Sequence, residues 1–82
     1  MLPKIEKVKA LPEYKLLVTL VDGKQIIYNV KEDIDTLEAF APLKTTYMLF
    51  EQVQVDSSKT CVYWNDEIDL PSDTIVEYGK LV

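Results

Sequence analysis

Few side chains in this sequence could do chemistry, and most of them gather in its last third. Asp66, Glu67, Asp69 and Asp73 form an acidic group that could hold a hard cation through oxygen ligands. A calcium loop needs carboxylates at alternate positions around a central glycine, closed by a bidentate acid. This stretch has no glycine, and Leu70-Pro71 interrupts the acids. The group therefore reads as a solvated acidic turn with capping roles for Asp69 and Asp73, and no metal site is assigned. Cys61 is the one thiol. A nucleophilic cysteine needs a neighbouring base or cation to form its thiolate, and the chain has no histidine. Thr60, Val62 and Tyr63 place Cys61 inside a strand, so it reads as a buried structural residue. Tyr63 and Trp64 stand beside the acids and are of the types that anchor protein interfaces. Whichever of the two faces outward is the candidate contact residue. With Asp66, Glu67 and Asp69 they make up the candidate binding surface. No catalytic residue and no cofactor are assigned.

Composition narrows the function classes further. The basic residues are nine lysines with no arginine, and the net charge is −5. Arginine supplies the bidentate fork that grips phosphates and base edges. Its absence, with the acidic balance, argues against direct nucleic-acid binding. The missing histidine removes the commonest general base and metal ligand. Eighty-two residues suffice for one modest core in a single domain, but not for a deep, water-excluding catalytic cavity with its supporting shell. A non-enzymatic protein is the expectation. With one cysteine and no long apolar run, a soluble cytoplasmic protein without membrane association is expected.

The elements that must position these residues begin with a hairpin. Asp22-Gly23 separates two β-rich runs between Tyr14 and Val30, a strong short-range hairpin signal. A two-residue turn would put Val18 and Leu20 on one face with Gln25 and Ile27. A three-residue loop, Val21-Asp22-Gly23, with Gly23 as a left-handed bulge residue, instead pairs Val18 with Ile26 and gives a face of Leu16, Val18, Leu20, Ile26, Tyr28 and Val30. That register is predicted. Ile5 to Leu11 reads as an edge strand, with Val8 and Ala10 on one side and Ile5, Lys7 and Lys9 on the other. Ile34, Leu37 and Phe40 predict a helix from about Asp33 to Phe40, capped by Asp33 or Asp35 and stopped by Pro42, packing Leu37 and Phe40 on the hairpin. Leu43 to Leu49 is a connector. Phe50 to Val55 and Thr60 to Trp64 form a strand pair around the turn Asp56-Ser57-Ser58-Lys59. Ile68-Asp69-Leu70 follows as a short strand. Ser72 or Asp73 caps a last helical turn through Ile75 and Tyr78, with Gly79 as its C′ residue. The expected fold is α+β: a small, mostly antiparallel sheet, built from an N-terminal three-stranded meander plus a C-terminal strand pair, with one short helix packed on it.

The run Val18-Thr19-Leu20-Val21-Asp22-Gly23, then Phe50, Val53 and Val55-Asp56, then Trp64 followed by Ile68-Asp69-Leu70-Pro71, resembles the bacterial domain-of-unknown-function 2442 (DUF2442) family over nearly the whole chain. The chain departs from that pattern at the turn after Trp64, where Glu67 replaces a usual glycine. The resemblance implies an α+β domain without established activity. It also implies a partner, because members are often encoded beside small proteins of the domain-of-unknown-function 4160 family in pairs that look like toxin–antitoxin modules. Two functions follow as expectations. One is a protein-interaction module, antitoxin-like or an inhibitor partner. The other is a small-molecule ligand-binding domain with a shallow pocket between the helix and the sheet, lined by Tyr28, Leu37 and Phe40. The edges at Ile5–Leu11 and Ile68–Leu70 allow a monomer or a homodimer.

Overall fold

A computed structural model describes residues 2–82. Among the described residues, seven strands fall into two antiparallel sheets. The first contains β1 (Ile5–Leu11), β2 (Lys15–Leu20), β3 (Gln25–Asn29) and β7 (Lys80–Leu81), in the order β1-β2-β3-β7; the second contains β4 (Gln54–Val55), β5 (Cys61–Asn65) and β6 (Ile68–Pro71), in the order β4-β5-β6. The described residues also form three short helices, α1 (Lys31–Thr36), α2 (Pro42–Thr45) and α3 (Ser72–Tyr78), which fill connections between strands. The α+β class and the N-terminal meander are as predicted. The C-terminal strands differ, because they form a sheet of their own.

The hairpin register follows the predicted three-residue loop. Val18 pairs with Ile26 and Leu16 with Tyr28. The Leu20 N–H donates to the Lys24 carbonyl at 2.8 Å, and Gly23 has φ +94°. Leu16, Val18, Leu20, Ile26, Tyr28 and Val30 are all buried. Each such side chain contributes about 1.5–3 kcal/mol relative to exposure, so a one-residue slip is strongly opposed. In β1, Ile5 opposes Leu20 and Lys7 opposes Thr19, which leaves Glu6 as an extra residue. This bulge brings Ile5 onto the inner face with Val8 and Ala10, not opposite them as the simple alternation predicted. The β1–β2 connection, Pro12–Tyr14, holds both Glu13 and Tyr14 at positive φ (64° and 59°). Left-handed backbone at a non-glycine residue costs roughly 1–2 kcal/mol. Two contacts offset it: the Tyr14 ring meets Phe50 edge-on at 5.2 Å, and the Tyr14 carbonyl accepts the Val30 N–H at 2.9 Å.

The helical region departs from prediction. Asn29 Oδ1 accepts the Lys31 N–H, so the helix starts two residues before Asp33. It ends at Thr36, because Leu37 is extended and leads into a separate 3₁₀ turn, Glu38–Phe40. Ile34 and Phe40 are buried whereas Leu37 is 47% exposed, which corrects the expected packing of Leu37. Asp33 does not cap; its Oδ2 accepts the Tyr28 hydroxyl at 2.6 Å, tying α1 to β3. Pro42 occupies the first turn of α2, where its missing N–H costs nothing. Phe50–Gln52 is a 3₁₀ turn, not the predicted strand, and β4 covers only Gln54–Val55.

Gly79 also has a different reason from the predicted one. Its backbone is extended (φ −79°, ψ 175°), so no left-handed cap is formed. A Cβ there would lie 2.5 Å from both Ile26 Cγ2 and the Ile75 carbonyl oxygen, so only glycine lets α3 turn directly into β7 against β3. Nor is Ser72 a side-chain cap: it is the first residue of α3, fully buried, and its hydroxyl has no hydrogen-bond partner among the described residues. The two glycines should therefore respond differently to alanine. Gly23→Ala meets no atom within 4 Å and carries only the cost of its positive φ, about 1 kcal/mol. Gly79→Ala should cost more, about 2–3 kcal/mol, because a backbone carbonyl cannot yield. Urea denaturation of both variants checks the order, and full stability in Gly23→Ala would refute the bulge.

Candidate functional site

Alternation along β5 sorts the candidate residues to opposite faces. Val62 and Trp64 point inward and are buried; Cys61, Tyr63 and Asn65 point outward. Of the two aromatic candidates Tyr63 faces outward, half-buried, and Trp64 is a core residue. Trp64 is the extra residue in a bulge, since Tyr63 pairs with Asp69 while Asn65 pairs with Ile68. The bulge lets both Trp64 and Ile68 point into the core. The indole stacks on Phe50 with centroids 5.9 Å apart and meets Phe40 edge-on at 6.3 Å, and its Nε1–H donates to the Phe50 carbonyl at 2.9 Å.

The outer face of the second sheet carries a row of cross-strand neighbours, Gln54, Tyr63 and Asp69. The Tyr63 hydroxyl donates to Gln54 Oε1 at 3.3 Å. Asp56, Asp66 and Asp69 join Tyr63, Cys61 and Asn65 around a shallow, open concavity. Three of the five candidate residues, Tyr63, Asp66 and Asp69, thus meet in one place, and Asp56 joins them although sequence spacing did not mark it. Glu67 is exposed at the turn tip. That turn is organised by Asn65, whose Oδ1 accepts the N–H groups of Glu67 and Ile68 at 2.8 and 3.0 Å. Neither Asp66 nor Glu67 has positive φ, so the turn needs no glycine. Asp73 bonds the Thr74 N–H at 2.8 Å, and Asp69 makes no capping bond, contrary to its expected role. Among the described residues, no group of three His, Cys, Asp or Glu comes close enough to hold a metal ion.

Cys61 is half-buried and lies on this outer face, not in the core as expected. Burial first, and then the negative charge of Asp69, push its thiol pKa up. The group is a neutral thiol at neutral pH, the opposite of an activated nucleophile.

The three residues expected to line a pocket between helix and sheet do not share one, and Tyr28 instead borders a small recess with Asn29, Glu32, Asp33, Thr74 and Tyr78. Tyr28 and Phe40 are buried and Leu37 points to solvent. Burial and the hydrogen bond to Asp33 raise the Tyr28 phenol well above its ordinary pKa. A different cleft, of about 490 Å³, opens between the Pro12–Tyr14 turn, α1 and α2, and Lys15, Lys31 and Lys44 line it with Glu13, Asp35 and Asn29. Among the described residues, no helix is long and apolar enough to cross a membrane.

Fold and surface together define a small α+β module of two packed antiparallel sheets with open outer faces. The chain belongs to the family described as Protein of unknown function (DUF2442), whose model matches residues 5–80. No curated protein and no solved structure is significantly similar to it.

The Cys61 environment predicts a sign. The alkylation rate with iodoacetamide, followed against pH, should inflect above the value of a free thiol, and Asp69→Asn should lower the inflection by removing the nearby charge. An inflection below that of a free thiol would contradict the geometry.

Proposed function

We propose that this chain is a non-catalytic protein-interaction module whose acidic, tyrosine-bearing face on the second sheet docks a basic partner, in the manner of an antitoxin-like or inhibitor protein. The observation that carries this reading is the convergence of Asp56, Asp66 and Asp69 around outward-facing Tyr63, in a concavity whose lining includes no lysine. Tyrosine supplies contact area at low entropy cost, and the carboxylates steer an oppositely charged surface into register. Trp64 has no direct part in it, because its ring is committed to the core. The partner that the resemblance implies is a small protein of the domain-of-unknown-function 4160 family.

Co-expression with the product of the adjacent gene, followed by size-exclusion chromatography, tests the reading. Co-elution at micromolar concentration is expected, with loss of the complex in Asp66→Lys/Asp69→Lys and an unchanged Tm, since both positions are exposed. Separate elution of the unmodified proteins counts heavily against it.

A second reading, a small-ligand binding domain, draws on the cleft lined by Lys15, Lys31 and Lys44. The three ammonium groups outnumber the Glu13 and Asp35 carboxylates in the same lining by one, a balance that favours an anionic ligand, either a carboxylate or a phosphate. A thermal-shift panel of both classes should then raise Tm in proportion to ligand concentration, an effect weakened by Lys31→Ala. No stabilisation by either class removes this reading.

A further inference from the structure

The outer face of the first sheet carries a charge pattern unlike the rest of the chain. Register alone assigns its residues. Lys9 pairs with Leu17, Leu17 with Ile27, and Ile27 with Lys80, so one row crosses all four strands as lysine, leucine, isoleucine, lysine. Lys7 stands beside Thr19 and Lys15 beside Leu11 on the same face. Side chains directly opposite one another point to the same side of a sheet, and the alternate residues Leu16, Val18 and Ile26 fill the core. Four of the nine lysines in a chain of net charge −5 therefore rim one surface, around Leu17 and the 37% exposed Ile27. No acidic residue holds a paired position there. Glu6 in the bulge and Glu13 in the turn lie only at its ends, with Glu13 at 3.8 Å from Lys15 Nζ.

We infer that this face is a second docking surface, separate from the acidic one, and that its occupant is a protein segment presenting carboxylates around an apolar centre. Charge complementarity sets the sign of the partner, because four ammonium groups, of which only Lys15 has a carboxylate within 4 Å, repel a basic surface and attract an acidic one. The Leu17–Ile27 pair sets its centre, since exposed apolar side chains ringed by charge bury best against a like pattern. A phosphate backbone fits less well: it offers nothing apolar to Leu17 and Ile27, and the chain has no arginine to grip it. Four strands at about 4.8 Å spacing and about five residues at 3.4 Å give a face of roughly 19 by 17 Å. That is well below the ~800 Å² per partner of standard interfaces, so the association is weak, fast and salt-sensitive.

The test titrates the full chain with a fluorescein-labelled peptide of alternating glutamate and leucine. Oligoglutamate of equal length and oligothymidine serve as comparison probes, and the readouts are anisotropy and backbone amide shifts. The expected result is binding of the alternating peptide at least about tenfold tighter than oligoglutamate, with shifts at Lys9, Leu17, Ile27 and Lys80. Lys9→Glu/Lys80→Glu should weaken it about tenfold or more at unchanged Tm, whereas Lys24→Glu, just after the hairpin loop and opposite inward-facing Leu20, should leave it near the unmodified value. Asp66→Lys/Asp69→Lys should not weaken it, which separates this surface from the acidic one. Equal binding of oligoglutamate, shifts confined to other elements, or an equal loss in Lys24→Glu overturns the inference. Tighter binding of oligothymidine overturns it in favour of nucleic acid. Self-association in sedimentation that Lys9→Glu/Lys80→Glu abolishes overturns it in favour of a second copy.

Discussion

Burial of the Trp64 indole is the constraint on which the arrangement of the two sheets rests. The ring sits between Phe50 and Phe40, and Phe50 in turn meets Tyr14, so a chain of four aromatics runs from the β1–β2 turn of the first sheet to β5 of the second. A buried indole N–H needs an acceptor, because an unmet donor costs about 1–3 kcal/mol. It finds the Phe50 carbonyl at 2.9 Å. Phe50 itself lies in a 3₁₀ turn, Phe50–Gln52, where the Gln52 N–H donates to the Leu49 carbonyl at 3.0 Å and leaves the Phe50 carbonyl for the indole. The left-handed backbone at Glu13 and Tyr14 belongs to the same cluster, since it aims Tyr14 at Phe50.

Around that cluster the sheets present inner faces that merge into one core and outer faces that are open. The β1 terminus joins them: the Ile5 N–H donates to the Lys59 carbonyl at 2.6 Å, and Lys4 Nζ reaches the Ser58 carbonyl at 3.3 Å. Two bulges, at Glu6 and at Trp64, adjust the phase of their strands so that Ile5 and Trp64 both reach the interior. Each bulge compensates for a local sequence that does not alternate cleanly, and each changes which residues remain outside.

The net charge of −5 conceals an uneven distribution. Carboxylates surround Tyr63 on the outer face of the second sheet, while ammonium groups rim Leu17 and Ile27 on the outer face of the first. Exposed ion pairs contribute little to stability, and the two present, Lys15–Glu13 and Lys24–Asp22, both span 3.8 Å at the surface among the described residues. The segregation is better understood through what each face attracts than through what it stabilises.

The sequence by itself determined the α+β class, the meander and the hairpin register, because a period of two and one Asp-Gly pair leave only one way to bury six apolar side chains together. It also located Tyr63, Asp66 and Asp69 in one neighbourhood, since they are joined by a single tight turn. What only the tertiary structure decided are the features that depend on contacts distant in the chain. Leu37 and Phe40 share a helical period, yet only Phe40 packs on Trp64, and the helix ends at Thr36, before both. Gly79 looked like a left-handed helix terminator, but its necessity comes from crowding by the Ile75 carbonyl together with Ile26 and Ile27 of β3, more than fifty residues away. The row Lys9–Leu17–Ile27–Lys80 is invisible in one dimension, because its last member arrives on β7, a two-residue strand with no periodicity of its own. Local patterns encode faces and turns. Which faces meet, and which are left to solvent, is settled by the packing of the whole chain.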